Sequence, residues 1–209
     1  YIRRTVIAYC SATGTLSTIA ALKKAGWRML VVATGHDKNS GLPYAIDNGA
    51  WSAFNQGKPF DALKFRKILK WSSKQELAPD WVVLPDIVAG GLDSLEFSMS
   101  WYDEVRPFSE TLLLAVQDGM EPKDIEPIMK PGMGIFLGGS TEWKLRVMPE
   151  WGEFCKNKYY YHIARVNTVR RILYASSCGA DSFDGTSVCQ FPVNLKKLNK
   201  ARNQMALPF

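Results

Sequence analysis

Short apolar runs alternate with stretches whose apolar residues recur at helical spacing along almost the whole chain. Thr5–Tyr9 reads as a first strand, and Leu16–Ala25 as a helix that Gly26 closes. Arg28–Ala33 is β-rich, and Leu42–Ile46 is a short strand running into Asp47-Asn48-Gly49. Phe60–Ser73 sets Leu63, Phe65, Ile68 and Leu69 at helical spacing among basic residues. Trp81–Leu84 is a buried strand and Asp93–Val105 a helix. Thr111–Val116 is a strand ending in Gln117-Asp118-Gly119, and Lys123–Met129 a short helix. The strand Gly134–Leu137 ends in Gly138-Gly139-Ser140, and Thr141–Cys155 is helical with a break near Pro149. Tyr159–Ile163, Thr168–Cys178 and Asp181–Phe183 follow as strand, helix and strand, before a basic helical tail over Leu195–Met205.

Strands apolar on both faces, each followed by a helix, indicate a parallel sheet. Seven or eight such units favour a closed (β/α)8 TIM-like barrel over an open doubly wound sheet. At 209 residues the barrel is compact beside the ~250 residues typical of the fold. The chain has no glycine-serine linker, low-complexity tract or internal repeat, so residues 1–209 read as one domain.

Hydrophobic residues make up 46% of the chain and charged ones 22%, an ordinary soluble balance. No apolar stretch approaches the roughly 18 residues of a membrane span. The opening Tyr1-Ile2-Arg3-Arg4 is basic, but the apolar run after it is shorter than a signal-peptide core, so it reads as strand. Cys10, Cys155, Cys178 and Cys189 are too scattered for a zinc motif, which favours reduced thiols in a cytoplasmic compartment. His36 and His162 are too few and too far apart for a metal site, so no bound metal is expected. The net charge of +6 suits a polyanion partner, and equally many proteins with none.

In a parallel barrel the active site lies at the carboxyl ends of the strands. Those ends here carry Asp47-Asn48-Gly49, Asp86, Gln117-Asp118-Gly119, Gly138-Gly139, Arg165 with Asn167, and Asp184-Gly185. Each has a plainer reading: Asp-Asn-Gly is a turn signal, Asp86 can cap the next helix, and Ser140 or Thr141 with Glu142 can form a cap. Trp51 reads as either a base-stacking ring or a buried aromatic. Their recurrence at one structural level points to chemistry. Several carboxylates around one pocket suit attack at a sugar carbon, with proton transfer to and from the leaving group. Carboxamides and backbone amides suit recognition of a planar base.

These motifs resemble those of the tRNA-guanine transglycosylases and their DNA-acting, DpdA-type relatives. Ile46-Asp47-Asn48-Gly49-Ala50-Trp51 is similar to the family's Thr-Asp-Ser-Gly-Gly-Phe, and Leu84-Pro85-Asp86-Ile87 to its base-recognising aspartate segment. Val116-Gln117-Asp118-Gly119 resembles Val-Gln-Gly-Gly, and Gly134-Ile135-Phe136-Leu137-Gly138-Gly139 resembles Gly-Tyr-Ala-Ile-Gly-Gly-Leu. Gly179-Ala180-Asp181-Ser182-Phe183-Asp184 resembles Gly-Val-Asp-Met-Phe-Asp, whose last aspartate is the nucleophile. The family's Cys-x-Cys-x-x-Cys…His zinc subdomain has no counterpart, and Gly185-Thr186-Ser187-Val188 replaces its arginine-bearing segment.

The resemblance implies Asp184 as nucleophile and Asp47 as general acid and base, with no cofactor. It implies a base pocket of Asp86, Gln117, Gly119, Gly138 and Gly139. Its partners would be DNA and a free 7-deazaguanine (preQ0, preQ1 or a derivative), in the host cytoplasm if the gene is a phage's. The missing zinc region favours DNA over tRNA. Arg165, Asn167, Arg170 and Arg171, and Lys196, Lys197, Lys200 and Arg202 in the tail, are the expected nucleic-acid contacts. The tail also reads as a solvated basic helix. A tRNA-guanine transglycosylase, a base-releasing glycosylase and a non-catalytic nucleic-acid-binding barrel remain alternatives.

Overall fold

Each apolar run that ends in a polar cluster forms one strand, and the strands pair in chain order until the last returns to the first. The computed structural model describes residues 5–32 and 41–204; Ala33, His36 and Met205, named above, lie outside them. The strands are β1 Ile7–Ser11, β2 Arg28–Val32, β3 Tyr44–Asp47, β4 Val82–Val83, β5 Leu112–Val116, β6 Met133–Leu137, β7 Tyr160–Ile163 and β8 Ser182–Gly185. All neighbours are parallel, and β8 closes the barrel on β1 with Asp184 opposite Tyr9.

Side chains alternate along each strand, and here both sets are apolar because both faces are covered. Tyr9, Leu30, Ala45, Trp81, Val83, Leu113 and Ala115 fill the barrel interior. Residues of opposite parity, among them Ala8, Met29, Val31, Ile46, Val82, Leu112 and Leu114, face the helical layer. That layer comprises α1 Leu16–Ala25, α2 Ala50–Asn55, α3 Ala62–Ser72, α4 Asp93–Ser100, α5 Tyr102–Val105, α6 Pro122–Ile125, α7 Thr141–Cys155, α8 Val169–Ser177, α9 Ser187–Gln190 and α10 Asn194–Asn203. No helix among the described residues is long and apolar enough to cross a membrane.

Several boundaries differ from the pattern. β1 runs Ile7–Ser11 rather than Thr5–Tyr9, because pairing with β8 begins at Ile7 and Cys10 and Ser11 still pair with β2. The expected Asp93–Val105 helix divides at Trp101. The short α2 and α9 were not anticipated. The expected break at Pro149 does not occur: α7 is continuous. Proline removes the N–H that the Leu145 carbonyl would accept, and the Tyr174 hydroxyl donates to that carbonyl instead at 3.2 Å. The basic tail forms α10, in which Lys196, Lys197 and Lys200 are exposed. Arg202 is buried and donates to the Ala25 and Gly26 carbonyls, so it caps α1 and is no phosphate contact.

Candidate active site

The carboxyl ends of the strands open on a cavity of about 670 Å³. Asp47, Asp86, Gln117, Asp118, Gly138, Gly139, Arg165, Asn167 and Asp184 all line it, together with Ser11, Trp51 and Phe54. A depression of about 750 Å³ at the opposite end, around the starts of β7 and β8, contains none of these residues.

Asp184 is 6% exposed on β8. Its Oδ1 accepts the backbone N–H of Arg165 at 3.1 Å and lies 3.0 Å from Nε2 of His162. The left-handed backbone of Arg165, φ 58°, turns that N–H toward the carboxylate. Oδ2 has no hydrogen-bond partner among the described residues. His162 is fully buried and stacks on Phe136, 4.9 Å between centroids. Burial lowers its pKa, against the opposing pull of Asp184. Its Nδ1 lies 2.7 Å from the Ser182 hydroxyl.

Asp47 ends β3, and its Oδ1 accepts the Gly49 N–H at 2.7 Å. Protein encloses this carboxyl on all sides except the cavity opening, and desolvation pushes its pKa up to about 7. The Gly49 hydrogen bond works against that rise, and the charges of Asp184 and Asp86 add to it. Asp86 rises to about 6, again through desolvation, with the Asn48 hydrogen bond opposing it. Asn48 Nδ2 bridges Asp86 Oδ1 at 2.8 Å and the Leu84 carbonyl at 2.7 Å, fixing the Asp86 rotamer.

The other expected residues have the following places and hydrogen-bond partners. Gln117 lines the cavity, but both ends of its carboxamide are engaged: Oε1 accepts the Ala89 N–H at 2.6 Å and Nε2 donates to the Ile87 carbonyl at 2.9 Å. It therefore anchors the loop after β4 rather than offering a free edge. Gly138 donates its N–H to Val116, within the β5–β6 pairing, and Gly119 lies outside the cavity lining. Asn167 accepts the Ser187 N–H at 2.9 Å, at the start of α9. Arg170 and Arg171 sit on α8, away from the lining. Asp118 accepts both the backbone N–H and the hydroxyl of Ser140. Asp86 caps no helix, since α4 begins seven residues later. Ser140 does cap α7, as expected, accepting from the Trp143 N–H.

Trp51 is 43% exposed, not buried, and stacks on Phe54, itself 50% exposed. The Arg165 guanidinium lies 4.1 Å from the Trp51 ring centroid and donates to the Gly139 carbonyl. His162, Ser182 and Asn48 escaped the sequence reading as site residues, as did Lys144. Lys144 is buried in the first turn of α7 and donates to the Ala164 carbonyl. Desolvation, with the nearby Arg165 charge, lowers its pKa to about 8. The signal for His162 was parity: it stands two residues before Ala164 on an inward-facing position of β7. Among the described residues, no group of three histidine, cysteine or acidic side chains is placed to hold a metal ion. No family model matches the chain, and no curated protein matches it.

Proposed function

We propose that the chain is a base-exchange transglycosylase that replaces guanine in DNA with a 7-deazaguanine through a covalent glycosyl-aspartate. One observation carries the reading. A carboxylate with one oxygen held and the other without a partner among the described residues shares its cavity with a second carboxyl poised to be protonated near neutrality. Nucleophilic displacement at a sugar carbon needs that division of labour.

Asp184 Oδ2 attacks C1′, and the electron pair of the breaking glycosidic bond passes to the base. The departing base takes its proton from Asp47. In the second half the incoming deazaguanine returns a proton to Asp47 and attacks C1′, releasing Asp184. Asp86 accepts donors on the guanine-like edge, oriented by Asn48. The target base must leave the stack to enter, which costs a few kcal/mol. Exposed Trp51 and Phe54 are suited to stack on a base at the mouth, beside the Arg165 cation. DNA rather than tRNA is the substrate that the resemblance to the DpdA-type enzymes favours.

The test is incubation with a guanine-containing oligonucleotide, denaturing electrophoresis, and labelled 7-deazaguanine supplied to DNA and tRNA in parallel. The expected result is an adduct absent from Asp184→Ala, with label entering DNA. An adduct that persists in Asp184→Ala overturns the nucleophile, and label entering only tRNA overturns the substrate. Abasic sites without label would identify a hydrolase instead.

A further inference from the structure

The barrel interior is apolar and aromatic, yet His162 stands in it at 0% exposure, packed between Phe136 and Trp81. An imidazole in such a place is costly unless both nitrogens are bonded. Both are: Nδ1 faces the Ser182 hydroxyl at 2.7 Å and Nε2 faces Asp184 Oδ1 at 3.0 Å. Ser182 and Asp184 are successive inward positions of β8, so one ring on β7 bridges them.

The order of the three groups matters. In acyl-transfer triads the hydroxyl meets the substrate and the carboxylate is the buried support. Here Ser182 is 0% exposed and lies deeper than the carboxylate, which lines the cavity. The support therefore runs from serine to histidine to aspartate. With Asp184 ionised, Nε2–H is the donor to Oδ1, and Nδ1 accepts the serine proton.

We propose that His162 is a positioning residue for Asp184, holding Oδ1 by its Nε2–H so that Oδ2 is presented to the sugar carbon; this rests on the reading of Asp184 as nucleophile. The Arg165 N–H makes the second bond to Oδ1, and the two donors together fix the carboxylate plane. A neutral donor serves this role better than a cation. It orients the carboxylate without neutralising the negative charge that attacks C1′. When Oδ2 is esterified, Oδ1 becomes the ester carbonyl oxygen and keeps the same two donors. No proton moves through the ring in either half of the exchange.

His162→Phe keeps the aromatic packing and removes the donor, whereas His162→Gln keeps an N–H within reach of Oδ1. Single-turnover adduct formation with excess oligonucleotide should slow by roughly tenfold to a hundredfold in the Phe variant, the loss of a hydrogen bond to a charged group. Its oligonucleotide affinity should stay within about threefold of wild type, and the Gln variant should recover much of the rate. A Phe variant as fast as wild type, or a Gln variant no faster than Phe, overturns the inference. Nitrogen-15 NMR of the wild-type ring decides it without either variant. A neutral ring protonated at Nε2 is expected, and an Nδ1-protonated ring or an imidazolium overturns the inference. If the wild type forms no adduct, the transglycosylase reading fails, while the ring measurement still decides whether His162 donates to Asp184.

Discussion

The guanidinium of Arg165 lies 4.1 Å from the ring centroid of Trp51, joining the end of β7 to the helix that follows β3. Those strands are four apart in a ring of eight, so this contact crosses the mouth of the cavity. The same guanidinium bonds the Gly139 carbonyl, and the backbone N–H of the same residue bonds Asp184. One residue thus ties the rim of the cavity to its carboxylate.

Arg165→Ala should weaken oligonucleotide binding by about threefold to thirtyfold, the range of a lost cation–π contact in a partly desolvated site. Arg165→Lys should not restore it, because an ammonium lacks the planar fork that stacks on the ring. Fluorescence anisotropy at one fixed salt concentration checks this, since phosphate contacts vary with salt. Equal affinity for all three proteins would show that the rim contact does not serve binding.

Asp47 sets a pH dependence. Its folded pKa of about 7 lies above the ordinary carboxyl value, so between about pH 4 and 7 the folded state binds more protons than the unfolded state. Stability should therefore fall as pH rises through that window and level off above it. Asp47→Asn should flatten this slope and be more stable than wild type at pH 8, on the order of 2 kcal/mol after allowing for water at the cavity opening. Denaturant unfolding at pH 5 and pH 8 measures it. The base-release step should lose rate above about pH 7 in wild type, as the acid form of Asp47 is depleted.

Two glycines with positive φ should respond differently to alanine. At Gly139, φ 68°, a Cβ would meet Asp118 Oδ2 at 2.6 Å and the Trp143 ring at 2.7 Å. At Gly119, φ 88°, it would meet nothing within 4 Å. Gly119→Ala should cost about 1 kcal/mol of backbone strain. Gly139→Ala should cost clearly more, and should also disturb the Asp118–Ser140 contact. Chemical denaturation of the two variants side by side tests the order, which a reversal would refute.

Gln117→Leu should remove both bonds that hold the loop after β4, including the one that secures Ala89 in its left-handed conformation, φ 58°. We expect a loss of about 2 kcal/mol in stability, from two unpaired backbone groups that water only partly satisfies. Proteolysis within residues 87–91 should become faster than in wild type. If Gln117 instead read the base directly, the variant would lose affinity for the free base with the loop as protected as before.

The alternation of apolar strands and helices was enough to indicate a closed parallel barrel. In this fold both faces of every strand are buried, and that requirement is written locally in each run of residues. Strand polarity then placed Asp47, Asp86, Gln117, Asp118, Gly138, Gly139 and Asp184 at one end, because parallel strands all finish on the same side. The sequence could not say how each group's hydrogen-bonding capacity is used. Gln117 looked free to read a base, and its partners lie some thirty residues away on the neighbouring loop. Arg202 looked like a phosphate contact until α10 returned it to the end of α1, across more than 170 residues. Spacing weighs His162 only as a metal ligand beside His36, and only the β7–β8 register sets it between Ser182 and Asp184. Local periodicity therefore determined the barrel and the ring of polar strand ends. Tertiary pairing decided which of those groups are occupied and which Asp184 oxygen has no partner among the described residues, because hydrogen-bond partners are set by distance in space and not by spacing along the chain.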